Sequence, residues 1–224
     1  MNRGLLSTLL ALGVSTVVIA EENITPYLGV DAKWNRMGVN STTNGNVVQK
    51  NYPQGNFFGG FQFNEWSAVE LGYETTTNRS RSATTIVGGN FFGDINEILP
   101  VQSNTKTRIS GFHVDLVGLY PVSQEQCFNL IGSIGIAQLQ IKSSLNFSYP
   151  PSTQVISLQF SKRKIVPRVT LGIQKLLNET FGVRAMLGWE GTAGFRNIYA
   201  VNSTLFMKPK DSFSIGVGFL YKFK

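Results

Sequence analysis

From residue 26 to the end of the chain, apolar and polar positions alternate with a period of two, and helical spacing is scarce. The last segment is the clearest. Over 212–223 one parity carries Phe213, Ile215, Val217, Phe219, Tyr221 and Phe223, and the other carries Ser212, Ser214, Gly216, Gly218, Leu220 and Lys222. The division recurs as Leu28, Val30, Ala32 and Trp34 against Gly29, Asp31, Lys33 and Asn35. It recurs again as Val69, Leu71 and Tyr73 against Ala68, Glu70, Gly72 and Glu74, and as Val183, Ala185, Leu187 and Trp189 against Gly182, Arg184, Gly188 and Glu190. Because successive side chains of a strand point to opposite faces, this predicts eight strands near 26–35, 56–63, 67–75, 107–120, 127–141, 164–175, 180–190 and 212–223. Between Ile136 and Gln138 the parity slips, which predicts a bulge in the fifth strand.

The connections alternate in length. Those at 64–66, 121–126 and 176–179 are short, whereas 36–55, 76–106, 143–163 and 191–211 are long and rich in Asn, Ser and Thr; the longest holds an apolar patch at 91–99. An even strand count with short turns at one end and long loops at the other predicts an all-β, eight-stranded, antiparallel, up-and-down barrel spanning a membrane, with short periplasmic turns and four long extracellular loops.

A soluble lipocalin-like barrel shares this period but turns its apolar face inward. Here the polar parity is rich in Gly and carries charges of both signs, Asp31, Lys33, Glu70, Glu74, Asp115, Arg168, Arg184 and Glu190. A narrow interior accommodates small residues and paired ions, so the apolar parity is expected to face lipid. Aromatics at strand ends on that parity, Trp34, Tyr73, Tyr120, Trp189, Tyr221 and Phe223, sit where interfacial girdles belong. Composition agrees: only 15% of the 224 residues are charged, against about 25% in soluble domains.

Residues 1–20 open with Arg3, run apolar over 4–19, and end with Val18 and Ala20 at the small-residue positions of a cleavage site. This predicts a cleaved secretory signal peptide, leaving 21–224 as one barrel domain in the outer membrane of a Gram-negative cell. No later run of about 18 apolar residues predicts a transmembrane helix.

On these residues the chain resembles the OmpA-type eight-stranded outer-membrane barrel. The resemblance rests on Gly59, Gly60, Phe61 and Gln62 leading into 69–74, on Tyr120 and Pro121 at a turn, on Val183, Arg184 and Trp189, and on the aromatic-terminated run 216–223. It implies that Phe219, Tyr221 and Phe223 form the signal read by the barrel-assembly machinery, although Lys224 follows the terminal aromatic. It also implies an interior ionic network including Glu70 and Arg184, with Val117 and Gln174 standing where further charges are expected. The peptidoglycan-binding domain of full-length members is not expected here, and neither is the family's gated channel.

Other chemistry is sparse. A lipid A deacylase of the PagL type places a Ser two residues after its His, whereas His113 is followed by Val114 and Asp115 on the interior parity, predicting a hydrogen-bonded interior histidine. One Cys, Cys127, and one His provide neither a disulfide framework nor a structural zinc site. The paired glycines lack the Gly-Lys-Ser/Thr of a phosphate loop. No catalytic residue, cofactor or metal is expected.

The formal net charge is +7. An exported barrel is not expected to meet nucleic acid, so Lys162, Arg163, Lys164, Lys208 and Lys210, beside the expected strand tops, are read as contacts for lipopolysaccharide or host polyanions, or as a solvated surface. The expected function is that of a monomeric, non-enzymatic surface protein serving envelope integrity or adhesion, with outer-membrane lipids and host or neighbouring surface molecules as partners. The alternative is a small pore or solute-binding barrel.

Overall fold

A computed structural model describes residues 24–41, 50–88, 98–122, 128–148, 155–192 and 207–223. Among them are nine strands: β1 (Thr25–Ser41), β2 (Asn51–Asn64), β3 (Ser67–Thr76), β4 (Arg79–Gly88), β5 (Ile98–Pro121), β6 (Phe128–Ser148), β7 (Val155–Leu176), β8 (Phe181–Glu190) and β9 (Met207–Lys222). All pairings are antiparallel, and they form a ring. β1 pairs with β2 and with β9; β2 pairs with β3, β3 with β5, and the remaining neighbours follow in chain order to β9. Eight staves therefore close the barrel, because β3 and β4 both lie along β5. β3 takes Ser110 to Gly118, and β4 takes Ile98 to Thr107, after a break at Thr77 and Asn78.

The expected loop at 76–106 is thus partly strand. β5, β6 and β7 have 24, 21 and 22 residues, whereas about 9–11 tilted residues cross a bilayer. Their upper halves, with β4, make a four-stranded sheet that stands above the membrane. Two short turns are built by asparagine: Asn64 Oδ1 accepts from Trp66 N and Ser67 Oγ, both at 2.9 Å, and Asn178 Oδ1 accepts from Thr180 N at 2.9 Å and Phe181 N at 2.6 Å.

No bulge interrupts β6. Its register is continuous with β5 from Gln102↔Ser148 to Pro121↔Asn129, and equally continuous with β7. The change in hydrophobic parity at Ile136 and Gln138 has another cause. Below it the outward residues Leu130, Ile134 and Ile136 are exposed apolar groups; above it the buried residues are Ala137, Leu139, Ile141 and Leu145, while Gln138 and Lys142 face out. The strand leaves hydrocarbon for water at that point, so the greasy face switches from outside to inside without any shift in backbone.

The outward face of the lower barrel is a continuous apolar band, including Leu28, Val30, Phe57, Leu116, Leu171, Leu187 and Val217, with Leu171 64% exposed. Soluble monomers rarely expose contiguous apolar patches beyond a few hundred Å². Aromatics gather at the end carrying the short turns, where Trp66 packs on Tyr120 at 5.9 Å and Phe181 on Tyr221 at 5.1 Å between ring centroids. Tyr73 and Phe112, 4.8 Å apart, lie at the opposite border. Val217→Lys, in mid-band, is expected to cost about 2–4 kcal/mol, whereas Gln138→Lys at the border should cost about 0–1 kcal/mol. Urea unfolding of the refolded barrel in lipid vesicles measures both; equal costs would mean that the band does not meet hydrocarbon.

Candidate functional site

The inward parity builds the interior in layers. At the end with the short turns, Tyr27, Phe58, Ala68, Val117, Leu119, Ile131 and Leu220 form an apolar cluster. Val117, at a position where the resemblance implies a charge, belongs to it, and Gln174 is buried nearby. The cavity left there, between Tyr27, Glu70, Arg184 and Lys222, is only ≈ 10 Å³.

Above this cluster lies Arg184. Its Nε and Nη2 donate to Asp31 Oδ1 and Oδ2, each at 2.8 Å, and its Nη1 donates to Glu70 Oε1 at 2.8 Å. The guanidinium carbon lies 3.6 Å from the Phe58 ring centroid, a cation–π contact that covers the remaining face. Tyr27 Oη donates to Glu70 at 3.0 Å, and Asn56 Nδ2 donates to Asp31 Oδ2 at 2.8 Å. The sequence pairs Glu70 with Arg184, and the two do meet. Asp31 is the stronger anchor, since only it is gripped by two parallel bonds, the geometry in which a guanidinium binds a carboxylate best.

A second and looser cluster follows. Arg168 reaches Asp115 at 3.3 Å, Glu74 at 3.5 Å and Glu190 at 4.0 Å, and Lys33 reaches Glu74 at 3.5 Å. His113 joins the clusters. Its Nδ1 is 2.8 Å from Asp115 Oδ2, and its Nε2 donates to Asn56 Oδ1 at 2.9 Å, so a polar chain runs from Asp115 through His113 and Asn56 to Asp31 and Arg184. Higher still, Asn35 donates to Gln54 at 3.2 Å and Thr107 shares a 2.9 Å bond with Ser143, among buried Met37, Tyr52, Ile109, Leu139 and Val166.

Glycine makes room for these ions. A Cβ at Gly72 would run into the His113 ring, at Gly135 and Gly218 into Asp115 and Asp31, and at Gly216 it would lie 2.8 Å from Lys33 Cγ. His113, Asp115, Asp31 and Lys33 thus each sit beside a gap in the neighbouring strand.

The expected surface cations are distributed differently from the sequence reading. Lys162, Arg163 and Lys164 lie within β7 rather than at a loop end, on a stretch that pairs with β6 alone. Alternation splits them, with Arg163 on the outer wall and Lys162 and Lys164 on the other parity. Charged residues on an exposed strand edge oppose pairing with another chain, a role open to Lys162 and Lys164 on this unpaired stretch. Lys210 is exposed and its carbonyl accepts from Thr192 Oγ1; Lys208 lies in β9 opposite Asn40. Phe219, Tyr221 and Phe223 all point outward, and Phe223 N donates to Pro26 O at 2.9 Å, which fastens the chain end to β1. Cys127, the expected signal peptide at 1–20 and 91–97 of the apolar patch lie outside the described residues.

A ring of antiparallel strands with an apolar outside, aromatic borders and a buried ionic interior defines a transmembrane β-barrel. Residues 6–223 match the outer membrane protein beta-barrel domain, and the chain belongs to that family. Its fold is similar to that of Neisserial surface protein A, with a TM-score of 0.51 at 11% identity, covering 88% of this chain and 97% of that one. OprG from Pseudomonas aeruginosa gives 0.47 at 13% identity, covering 90% and 97%. Ail of Yersinia pestis, in complex with the heparin analogue sucrose octasulfate, gives 0.41 at 14%, covering 89% and 99%. These likenesses concern the fold. Among curated proteins there is no match.

Proposed function

We propose that this protein is a non-enzymatic barrel of the outer membrane that supports envelope integrity and makes surface contacts through its extracellular end. The observation that carries this reading is the filled interior. Buried apolar and ionic layers occupy the barrel from Leu220 and Tyr27 through Arg184 and Arg168 to Leu139, with a lower cavity of only ≈ 10 Å³. Such packing suits a rigid stem better than a conduit. The tall sheet of β4 to β7 adds to this reading, because its strands extend well beyond the length that crosses a bilayer, within reach of host or neighbouring surface molecules. Export by residues 1–20, assembly through Phe219, Tyr221 and Phe223, and a monomeric state belong to the same proposal.

Planar-bilayer recording separates this reading from a small pore. The purified barrel is expected to give no sustained conductance steps, while cells lacking it become more sensitive to detergent and lose adhesion to coated surfaces. Steady single-channel currents, abolished by bulky substitutions at Gly72, would instead establish conduction of ions or small solutes.

A further inference from the structure

On the outer wall of the upper sheet, β5 and β6 place Arg108 directly opposite Lys142, with Lys106 opposite Ser144 one row higher and Arg163 opposite Gln140 one row lower. All four cations lie on the outward parity and are exposed. Like charges facing each other across a strand pair are destabilising, and among the described residues no carboxylate pairs with any of the four. The buried interior instead holds five carboxylates, Asp31, Glu70, Glu74, Asp115 and Glu190, against Lys33, Arg168 and Arg184. These five carboxylates are spent inside, and the outward parity of β5, β6 and β7 carries cations and no carboxylate.

Three of the cations, Lys106, Arg108 and Lys142, line a shallow groove of ≈ 660 Å³ together with residues that include Ser144, Gln159 and Ser161, and Arg163 lies below it, beside Gln140. Arg108 is not free to swing: its Nε and Nη2 donate to Thr75 Oγ1 at 3.3 and 3.2 Å, which fixes the guanidinium plane against β3. Gln140 is likewise held by its 2.8 Å bond to Ser161 Oγ. With the Nε edge of Arg108 held by Thr75, the outer edge of its guanidinium, two flexible ammonium groups, hydroxyls and an amide together suit a phosphate-bearing sugar.

Height identifies the occupant. Outward residues are apolar up to Phe112 on β5, Ile136 on β6 and Ile165 on β7, and polar beyond. Arg163 is the next outward position above Ile165, and Arg108 is four residues above Phe112, about 10 Å higher for strands rising about 3.3 Å per residue at a tilt of about 40°. Lys and Arg side chains reach back toward the interface along apolar stems.

We propose that Lys106, Arg108, Lys142 and Arg163 form a binding site for the phosphorylated sugar headgroup of an outer-leaflet glycolipid, which rests its acyl chains on Phe112, Ile136 and Ile165. The proposal takes the membrane-barrel reading as given, and names a lipid partner held by the wall rather than by the loops.

Native mass spectrometry of the refolded full chain in detergent, titrated with bisphosphorylated lipid A, tests it. The wild-type protein is expected to retain this lipid at least tenfold better than its dephosphorylated form. Lys106→Gln/Arg108→Gln/Lys142→Gln should lose at least tenfold in retention while keeping the heat-dependent gel mobility of a closed barrel, and Lys162→Gln/Lys164→Gln should bind as the wild type does. Equal retention of the two lipid forms overturns the proposal without need of any variant. So does an unchanged triple variant, or heparin displacing the lipid at lower phosphate-equivalent concentration. Loss of the mobility shift in the wild-type protein would strike at the barrel itself and is thus distinguishable from failure of the lipid site.

Discussion

Arg184→Leu is expected to lower the unfolding free energy of the barrel by about 3–5 kcal/mol, the range for removing one partner of a buried ion pair. The cost comes from what stays behind. Asp31 and Glu70, both buried, would lose three donors at 2.8 Å, leaving Asp31 with Asn56 and Glu70 with Tyr27 among the described side-chain donors. Adding Glu70→Gln should return part of the loss, because one buried charge disappears with its missing partner. Adding Asp31→Asn as well should return most of it. Urea unfolding of the refolded protein, read by tryptophan fluorescence in a double-mutant cycle, measures the coupling; costs that simply add would show that these groups do not act together. Arg168 offers the internal contrast. Its contacts are 3.3–4.0 Å long and shared among three carboxylates, so Arg168→Leu should cost less than Arg184→Leu.

Gly218→Val is expected to be the next most damaging change, at about 3 kcal/mol. A Cβ there would collide with Asp31 Oδ1 and lie 2.8 Å from the Val30 carbonyl oxygen, which belongs to backbone and cannot swing away. Overpacking of this kind costs about 1–3 kcal/mol, and pushing Asp31 off Arg184 adds the loss of a charged hydrogen bond, about 1.5–3 kcal/mol. Gly118→Val is the control. Gly118 faces outward and its nearest neighbour is the Gly132 carbonyl oxygen at 3.7 Å, so the change should stay within about 0.5 kcal/mol. A matched series of thermal gel-shift midpoints would order the two variants, and equal midpoints would contradict the assignment of Gly218 to the ion-bearing interior.

Together these expectations place the stability of the barrel in its centre rather than at its ends. Shape and charge are specified jointly there, because ions such as Asp31 and Asp115 have both a partner on another strand and a glycine on the strand beside them. Asp31 and Arg184 are 153 residues apart, yet their bidentate contact depends on Gly218, which stands opposite Asp31 and Arg184 in the two ladders. Filling the lumen this way leaves the exposed upper sheet as the surface on which recognition can occur.

Alternation within the membrane-spanning segments between Leu28 and Phe223 determined the eight staves, their parity and the barrel, because a two-residue period assigns every side chain to one wall or the other whatever the register. It also identified which charges lie inside, since charged residues could not be placed on a lipid-facing parity at tolerable cost. Where the alternation was misread, the reason was a change of solvent: above Ile136 water replaces lipid, so the same backbone turns its polar residues outward and the pattern imitates a bulge. β4 escaped notice because Ser80, Ser82 and Thr84, paired with β5 above the membrane, face water and carry no apolar signal. Partner choice was decided only by tertiary structure. Nothing in the spacing reveals that Arg184 grips Asp31 more fully than Glu70, or that Arg108 and Lys142 face each other, because those neighbours are set by the register and tilt with which the sheet closes, and closure is a property of the whole ring.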